Sequence, residues 1–369
     1  MKRVLQVAAG LKIGGAEKVA RDLGYYADSK EYKTDYIVFG DEVGEYEQEL
    51  VARGCNIYHW PSPSASYRKY YHSLISLIRE NHYDVVHAHT MFNIGWAMLA
   101  AKKCGVPIRV AHAHSALENG NSIKKRAYEE AMRGTILQYA TDLVACGEAA
   151  GIRLFGEKAY RKNGKLILNG IDTQRFAFNP KVRAKMRAEL RLDNAFVIGH
   201  VGHLIAVKNQ SFLIHLMPDI LKKKPNAKLL LLGEGEDRPM LEQQIRDLNL
   251  TDSVIMTGNV RNVPDYLSAM DVFAFPSLFE GMPLSIIEVQ VNGLPCVLST
   301  GVPKDVYLTE LVHAIPLDKP DAWVTAICST QRNEPEKYAD ELKTMGFDTE
   351  TVMQKFMQIY ESTENIGRR

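Results

Sequence analysis

Short apolar runs alternate with longer amphipathic stretches along most of the chain. Short runs rich in Val, Ile, Leu and Phe predict strands, and apolar residues at helical spacing predict the helices between them. In the first half we predict strands at residues 4–9, 36–39, 57–58, 84–90, 108–115 and 142–147. In the second half we predict strands at residues 196–201, 228–233, 254–260 and 271–275, with another from 295. Strands that alternate with helices predict parallel sheets covered by helices on both faces.

The length, composition and charge are those of a globular protein with more than one domain. The chain has 369 residues, of which 46% are hydrophobic and 24% are charged. This length suits two α/β domains. Lys and Arg together number 45 against 44 Asp and Glu, a formal net charge of +1. Such a balance creates no global basic field, so we expect no nucleic-acid partner.

The cysteines and the N-terminal sequence predict a cytoplasmic protein. The five cysteines are odd in number and far apart, which favours reduced thiols over a disulfide framework or a zinc site. The chain enters its first predicted strand at Val4 without a signal peptide. No apolar run approaches the length of a membrane span, so we expect any membrane contact to be made from the cytoplasmic surface.

The stretch 275–300 carries the most informative chemistry. A loop rich in Pro, Ser and Gly follows a predicted strand, and a helix is predicted from about Leu284 to Asn292-Gly293. Glu280 lies in the loop and Glu288 about one turn inside the helix. The helix start favours a phosphate because its backbone N–H groups are free and the dipole is positive there. The two carboxylates and these amides could together hold a sugar, a diphosphate and a ribose. The alternative is that Glu280 caps the helix and Glu288 is simply solvated.

A glycine pair follows the first predicted strand. Gly14 and Gly15 stand between this strand and a helix, an arrangement that suits an anion-binding loop. A tight turn with positive φ would be compatible with the same role. The glycine spacing is not that of a dinucleotide fingerprint, and no acidic residue marks the end of a second strand, so a NAD site is disfavoured.

Four histidines fall at the ends of two neighbouring predicted strands, where ligands of parallel sheets gather. They are His87, His89, His112 and His114. The His-x-His spacing places both rings of each pair on one face of a strand, which raises the possibility of a metal site. No cysteine or carboxylate nearby completes a ligand set, so we predict no metal there.

The stretch 275–300 resembles the Glu-x7-Glu signature of retaining glycosyltransferases with the GT-B fold, family 4 in particular. The residues that carry the resemblance are Glu280, Glu288, Pro276-Ser277, Gly281, Pro283 and Asn292-Gly293-Leu294-Pro295. The resemblance implies an α/β protein with two Rossmann-like, doubly wound parallel-sheet domains that face a central cleft. The domains would be an acceptor domain over 1–176 and a nucleotide-sugar donor domain over 177–349, with the boundary within 173–179. A C-terminal helix, about 350–369, would cross back to the first domain.

The resemblance also implies a role for each motif residue. Glu288 would hold the ribose, Glu280 the sugar hydroxyls, and Lys208 with the amides of 282–285 the diphosphate. Asn259 and Val260 would lie near the base. The full set of implied donor-binding residues is Gly14, Gly15, His203, Lys208, Asn259, Val260, Glu280, Gly281, Met282, Pro283, Leu284, Ser285 and Glu288.

His203 departs from the family pattern because an arginine is usual at its position. A histidine supplies fewer N–H groups and only a conditional charge. On the first domain, the resemblance implies that a histidine at a strand end lies beside the sugar and the acceptor. His114 is the first choice and His112 the second, with His89 a further acceptor-side candidate. Such a histidine, neutral or charged near pH 7, could donate a hydrogen bond or assist deprotonation. We expect His114, Glu280 and Lys208 to be the catalytic residues.

A basic segment, Lys124-Lys125-Arg126, follows a polar loop at 119–122. In related enzymes this region lies near the acceptor, and a basic face would suit anionic lipid or a lipid diphosphate. An ordinary basic helix surface is an equally good reading.

The resemblance predicts transfer of a hexose or N-acetylhexosamine from a nucleotide diphosphate, with UDP as the expected nucleotide. The anomeric configuration would be retained, and no cofactor or metal would be needed. The expected acceptor is a saccharide, lipid-linked, in exopolysaccharide or capsule biosynthesis at the inner face of the membrane. Two alternatives remain open. One is a nucleotide-sugar epimerase of the same fold, and the other is a non-catalytic subunit that binds the nucleotide sugar.

Overall fold

The computed structural model describes residues 1–12, 14–27, 30–115 and 122–362. These residues divide into two compact units. The first contains Met1–Gly170 together with the segment from Thr349 onward, and the second contains Ile171–Asp348.

The first unit is built on one parallel sheet. Its described strands are β1 (Lys2–Val7), β2 (Tyr32–Phe39), β3 (Ile57–Trp60), β4 (Val85–Ala88), β5 (Ile108–Ala113), β6 (Asp142–Ala145) and β7 (Gly164–Leu166). Its helices within 1–170 are α1 (Gly15–Tyr25), α2 (Glu47–Ala52), α3 (Tyr67–Asn81), α4 (Ile94–Lys103), α5 (Ile123–Tyr139), α6 (Glu148–Phe155) and α7 (Glu157–Asn163). The strand order is β3-β2-β1-β4-β5-β6-β7. The order reverses between β1 and β4, which places the helices on both faces of the sheet.

The second unit repeats this plan. Its described strands are β8 (Phe196–Val201), β9 (Ala227–Leu232), β10 (Val254–Gly258), β11 (Val272–Phe275), β12 (Cys296–Ser299) and β13 (Val312–Ile315). Its helices are α8 (Thr173–Phe176), α9 (Pro180–Glu189), α10 (Gln210–Lys223), α11 (Arg238–Asp247), α12 (Val263–Ala269), α13 (Leu284–Val291), α14 (Pro320–Ser329) and α15 (Lys337–Thr344). The order is β10-β9-β8-β11-β12-β13, all parallel, and it reverses between β8 and β11.

The last helix, α16 (Thr349–Glu361), belongs to the first unit. Its apolar face, which includes Val352, Phe356 and Ile359, is buried against residues of β1, β4 and β5. An amphipathic helix gains most of its stability from burying such a face. The predicted return of the C-terminal helix to the first domain is therefore confirmed, and residues 363–369 lie outside the described part of the chain.

The described units correct the predicted domain boundary. The division falls after Gly170 rather than within 173–179. Helix α8 packs in the second unit, where Asn292 Nδ2 donates to the Phe176 carbonyl at 2.8 Å. Thr173 Oγ1 donates to Asp348 at 2.7 Å, which ties the start and end of that unit together. These bonds join residues distant in sequence, so local composition did not reveal them.

Two further findings concern the elements. The predicted α/β architecture with two parallel sheets is confirmed, whereas β13, α14 and α15 had no sequence prediction. No helix among the described residues is long and apolar enough to cross a membrane.

Candidate active site

The second unit brings Lys208 and Glu280 together where its strand order reverses. Lys208 lies in the segment after β8, and Glu280 in the loop after β11. Ligands of open parallel sheets bind outside the carboxyl ends of strands at such a reversal. Lys208 Nζ lies 2.7 Å from Glu280 Oε1, and the two side chains are 17% and 11% exposed. The ammonium also lies 4.9 Å from the centre of the Phe275 ring.

Backbone hydrogen bonds hold these two loops together. The Leu278 N–H donates to the Val207 carbonyl at 2.8 Å. Asn209, at φ 55°, donates from Nδ2 to the Pro276 carbonyl at 3.3 Å. Asparagine adopts this left-handed conformation more readily than most residues. The positions of Lys208 and Glu280 are thus fixed by bonds within the loops as well as by their own ion pair.

The carboxylate of Glu280 does not cap the following helix. It pairs with Lys208, and the residue before α13 is Pro283, without any side-chain capping bond. The alternative prediction of a helix cap is therefore wrong. Pro283 also lacks an N–H group, so its amide cannot contribute to anion binding as the segment 282–285 was predicted to do. The predicted helix bounds are confirmed, and Glu288 is the partly exposed fifth residue of α13.

Glycines let neighbouring loops approach the segment after β8. Gly233 has φ 136°, and a Cβ there would overlap the Gly202 carbonyl. A Cβ at Gly235 would overlap the backbone of Leu204. The Leu204 N–H donates to the Glu234 carbonyl at 2.9 Å, and the Gly233 N–H donates to Gly258 at 3.0 Å. Through this contact the loop with Asn259 and Val260, at the end of β10, lies beside the loop after β9.

His203 is exposed, and its carbonyl accepts a hydrogen bond from Gln210 Nε2 at 2.8 Å. Gln210 Nε2 also lies 3.2 Å from the buried His200 Nε2, and His200 Nδ1 lies 3.0 Å from the Ala274 carbonyl. Burial lowers the pKa of His200 to about 4, so this ring is neutral. His200 and Gln210 were not predicted from the sequence. The one local signal was a histidine within the otherwise apolar run of β8, and it does not tell a buried structural histidine from a ligand-binding one.

The four histidines at the ends of β4 and β5 form a ladder with two rungs. In one rung the Tyr360 hydroxyl lies 2.7 Å from His87 Nδ1, and His87 Nε2 lies 3.2 Å from His112 Nδ1. In the other, Gln6 Oε1 lies 2.9 Å from His89 Nε2, and His89 Nδ1 lies 2.8 Å from His114 Nε2.

Gln6 joins the rungs, because its Nε2 donates to the Tyr360 hydroxyl at 3.0 Å. We use the name histidine ladder for the set formed by Gln6, His87, His89, His112, His114 and Tyr360.

Hydrogen-bond roles in the ladder follow from the orientation of Gln6. Its oxygen faces His89, so His89 Nε2 donates and the neutral ring accepts at Nδ1 from His114 Nε2. The Tyr360 proton is then directed to His87 Nδ1, and His87 Nε2 donates to His112. His112 Nε2 and His114 Nδ1 remain buried with no hydrogen-bond partner among the described residues.

Burial keeps every ring of the histidine ladder neutral. It lowers the pKa of His114 to about 3, and it lowers those of His87, His89 and His112 well below the usual range, with repulsion from the other rings adding to the effect. Burial disfavours the charged imidazolium because a low-dielectric interior solvates charge poorly. Of the two states expected for His114 near pH 7, neutral and charged, burial thus favours the neutral one.

Three of these rings could be considered as metal ligands. Nitrogen atoms of His87, His89 and His112 lie within 4.8 Å of one another. The His87 and His89 rings are stacked, with 25° between their planes. A metal binds nitrogen in the ring plane, and stacked rings direct their nitrogens along separate rungs. The ring geometry thus favours a hydrogen-bonded ladder.

The remaining predicted residues of the first unit have simple surroundings. Gly14 precedes α1 with φ −172°, an extended conformation open to any residue, and Gly15 is the first residue of α1. The possibility of a positive-φ turn there is wrong. Lys124, Lys125 and Arg126 lie in the first turn of α5, after Ser122, whose side chain accepts from the Lys125 N–H. Residues 119–121 of the predicted polar loop lie outside the described residues.

Comparisons with known proteins agree with this arrangement. Residues 13–175 match the family described as "Glycosyltransferase Family 4", and residues 195–333 match "Glycosyl transferases group 1". The chain is 32% identical to the putative glycosyltransferase EpsF of Bacillus subtilis, over 100% of this chain and 99% of that protein. It is 26% identical to the capsular polysaccharide biosynthesis glycosyltransferase CapH of Staphylococcus aureus, over 78% of each chain.

An Escherichia coli relative is named UDP-Gal:alpha-D-GlcNAc-diphosphoundecaprenol alpha-1,3-galactosyltransferase. It is 31% identical over 62% of this chain and 60% of its own length. Among solved structures, Anabaena HepE in complex with UDP superposes with a TM-score of 0.81 at 21% identity, over 97% of this chain and 99% of that one. Two parallel-sheet units, the matched regions and the full-length relative lead to one conclusion: the chain belongs to the family 4 glycosyltransferases and has the GT-B fold.

Proposed function

We propose that the protein transfers a hexose or N-acetylhexosamine from a UDP-sugar to a saccharide acceptor, with retention of the anomeric configuration. The observation that carries this proposal is the Lys208–Glu280 pair beside the start of α13, where the strand order of the second unit reverses. The names of the E. coli relative and of the HepE complex, both of which contain UDP, support the choice of nucleotide.

In this proposal the second unit binds the nucleotide sugar. Lys208 and the N–H groups of Leu284 and Ser285 neutralise the diphosphate. The leaving diphosphate gains charge in the transition state, so fixed positive groups there lower the barrier. Glu288, roughly 6 Å along α13 from its start, accepts from the ribose hydroxyls. Glu280 accepts from the sugar hydroxyls.

Several residues have supporting roles in the proposal. Asn259 and Val260 contact the base from the end of β10. The space beside Gly281 is open and leaves room for the sugar, since even an added Cβ there would meet no atom within 4 Å. His203 offers fewer N–H groups than the arginine that is usual at its position. Lys208 and the α13 amides therefore carry most of the diphosphate binding.

His114 acts in this proposal by hydrogen bonding rather than as a strong base. A ring with a pKa of about 3 is neutral at pH 7 and only weakly basic. Its ladder partner His89 fixes the ring, so His114 would position a hydroxyl of the sugar or the acceptor.

We further propose that the acceptor is a lipid-linked saccharide in exopolysaccharide or capsule biosynthesis. The names of CapH and of the E. coli relative support this class. Lys124, Lys125 and Arg126 would face the anionic surface of the inner membrane, where the protein would act from the cytoplasm.

We propose that transfer needs neither a metal nor a cofactor, because Lys208 and the α13 dipole supply the positive charge that a cation supplies elsewhere. The test is turnover before and after chelation with EDTA and readdition of Mg²⁺ or Mn²⁺. Unchanged rates support the proposal, and loss of turnover that Mn²⁺ restores contradicts it.

The central experiment is calorimetric titration with UDP, GDP and their sugar conjugates. We expect saturable UDP binding that Glu288→Ala abolishes. The matched control Glu189→Ala removes an exposed glutamate of α9 and leaves binding unchanged. NMR of the product then reports the anomeric configuration.

Other outcomes of this experiment would favour the rival functions. A sugar epimer formed without an acceptor would indicate an epimerase. UDP-sugar binding with no transfer to any lipid-linked saccharide would indicate a non-catalytic subunit. The histidine at position 203, where arginine is usual, is the feature that favours this alternative. No nucleotide binding at all would overturn the assignment of the site.

A further inference from the structure

A cavity of about 350 Å³ lies in the first unit, beside the carboxyl end of β4. Its walls come from four places: Thr90 with the short helix Met91–Asn93, the first turns of α5, the start of α3, and Arg153 of α6. This volume is at the lower end of the roughly 300–1,000 Å³ typical of small-ligand pockets, so one monosaccharide unit with one charged group would fill it. The cavity adjoins the histidine ladder because Thr90, in its wall, directly follows His89.

The wall beside β4 has unused hydrogen-bonding capacity. Thr90 is 8% exposed, and its hydroxyl has no hydrogen-bond partner among the described residues. A buried polar group of this kind is normally satisfied by water or a ligand. Asn93 Oδ1 accepts from the Tyr128 hydroxyl at 2.7 Å, which directs the amide N–H groups the other way. The wall therefore offers both hydrogen-bond donors and acceptors, as sugar hydroxyls require.

The backbone of this wall is held in a strained conformation. Met91, between Thr90 and Asn93, has φ 52°, which a residue with an unbranched apolar side chain rarely adopts. Strain of this kind persists where the surrounding structure requires one local geometry, often at ligand sites.

Among the described residues around the cavity, one positive charge has no carboxylate paired with it. Arg153 Nη2 bonds to Glu129 Oε2 at 2.7 Å, and the guanidinium lies 4.9 Å from the Phe92 ring centre. Glu129 therefore compensates Arg153, and Lys125 adds a further positive charge to the wall. The cavity is suited to a ligand that carries an anionic group such as a phosphate.

Aromatic rings form the remaining wall. Tyr67 and Tyr128 have ring centres 5.2 Å apart, and both are partly exposed. The apolar C–H face of a pyranose packs well against such rings. The cavity thus combines hydrogen-bonding groups that match sugar hydroxyls, aromatic rings and the positive charge of Lys125. This combination suits a sugar phosphate better than a neutral sugar or a bare phosphate.

We propose that this cavity binds the phosphate-bearing sugar of the acceptor, with Lys125 on the phosphate and Thr90 and Asn93 on the sugar hydroxyls. The inference rests on the proposed function, since it specifies which acceptor sugar the first unit recognises. The same chemistry has two sources, a lipid-linked saccharide diphosphate and a free sugar phosphate.

The test is calorimetric titration of the full chain with two probes, N-acetylglucosamine 1-phosphate and farnesyl diphosphate-linked N-acetylglucosamine. Lys125→Gln is expected to weaken binding of the preferred probe about tenfold or more, as for loss of a charge-assisted hydrogen bond. Asn93→Ala is expected to weaken it as well without changing the surface charge. Lys102→Gln, on the exposed end of α4, is the matched control and is expected to leave binding unchanged.

The outcomes separate this proposal from the proposed function. Binding of the lipid-linked probe alone supports a lipid-linked source, and equal binding of both probes supports recognition of the sugar phosphate itself. Binding of neither probe overturns the proposal, as does loss of affinity in Lys102→Gln equal to that in Lys125→Gln. UDP titration is run in parallel. Probe binding without UDP binding would refute the proposed transferase while leaving the cavity a sugar-phosphate site.

Discussion

In the proposed function, the ion pair between Lys208 and Glu280 would meet the two chemical demands of a nucleotide-sugar site. A diphosphate requires a cation, and the transferred sugar requires an acceptor for its hydroxyl groups. Both side chains are largely buried, so their interaction is screened less than that of a surface pair. If a diphosphate binds Lys208 as proposed, it must compete with the carboxylate of Glu280, and we expect nucleotide binding to reposition Glu280.

Substitutions of the pair should therefore affect UDP and UDP-sugars differently. Lys208→Gln is expected to weaken UDP binding by about 1.5–3 kcal/mol, the range for hydrogen bonds to charged groups. Glu280→Gln frees the ammonium, so UDP binding is kept or strengthened while sugar transfer falls. Calorimetry with UDP and initial rates with the UDP-sugar measure the two effects. Lys222→Gln, which changes an exposed lysine of α10, is the control. Equal loss of UDP binding in Lys208→Gln and Glu280→Gln would contradict this account.

The histidine ladder should make the first unit sensitive to mild acid. The pKa of His114 falls from its ordinary 6.5 to about 3 on burial. Between these values the unfolded chain binds more protons than the folded one, so stability is lost as the pH falls below about 6.5. The loss is about 1.4 kcal/mol per buried histidine by about pH 5.5.

Thermal unfolding midpoints between about pH 7.5 and about pH 5.5 test this dependence, in a range where carboxylates titrate little. His114→Gln removes one titrating ring and should reduce the loss of stability, whereas the exposed His313→Gln should not. An identical pH dependence in the wild type and His114→Gln would contradict this account, because it would mean that the ring binds protons equally in the folded and unfolded states.

At the scale of elements, the loops after β8, β9 and β11 are packed too closely for side chains at certain positions. Gly233 and Gly235 lie against the backbone of residues 202–204. Backbone atoms cannot move aside as the end of a flexible side chain can. The glycines therefore allow the loop that leads to Lys208 to approach the loop after β9.

Gly235→Ala should expose this dependence. The new Cβ overlaps the backbone of Leu204, and overpacking of this kind costs about 1–3 kcal/mol of stability. Because the displaced loop leads to Lys208, UDP affinity should fall as well. Gly134→Ala is the control, since a Cβ in that helical position meets nothing within 4 Å. Chemical denaturation measures the stability, and UDP titration measures the affinity. An unaltered UDP affinity in a destabilised Gly235→Ala would contradict the expected link between the packing of this loop and UDP binding.

At the scale of the molecule, α16 completes the first unit although it follows the whole second unit in the chain. Its apolar residues join the core formed by β1, β4 and β5. Its Tyr360 hydroxyl connects both rungs of the histidine ladder, and Lys2 Nζ donates to the Tyr360 carbonyl at 2.6 Å. The C-terminal segment therefore contributes both apolar packing and buried hydrogen bonds to the first unit.

Tyr360→Phe should destabilise the first unit. The change leaves Gln6 Nε2 and His87 Nδ1 buried without their partner, and an unsatisfied buried group costs about 1–3 kcal/mol. Tyr307→Phe also removes a hydroxyl that is hydrogen-bonded, to the Val302 carbonyl, but from a partly exposed ring where water can replace it. Chemical denaturation should show a clearly larger loss for Tyr360→Phe. Equal losses of unfolding free energy in the two variants would mean that the ladder hydrogen bonds do not stabilise the packing of α16.

Much of the fold could be predicted from the sequence, and rather less of the candidate site. The bounds of α13 followed from Leu284, Asn292 and Gly293, because capping and chain-breaking residues act locally. The charge state of the histidines did not, because it depends on burial by α16. His200 was overlooked since nothing local distinguishes a neutral, buried histidine from a ligand-binding one.

The sequence by itself determined the alternation of strands and helices, the two parallel sheets and the family, because periodicity and short motifs are local properties. Tertiary structure alone decided which distant residues meet. Lys208 and Glu280 are 72 positions apart, and His87 and Tyr360 are 273 apart. Strand order sets these encounters, and hydrophobic periodicity does not encode it. The neutral histidine ladder arises only when the sheet and α16 pack together, and the cavity beside Thr90 only when α3, α5 and α6 pack beside the end of β4.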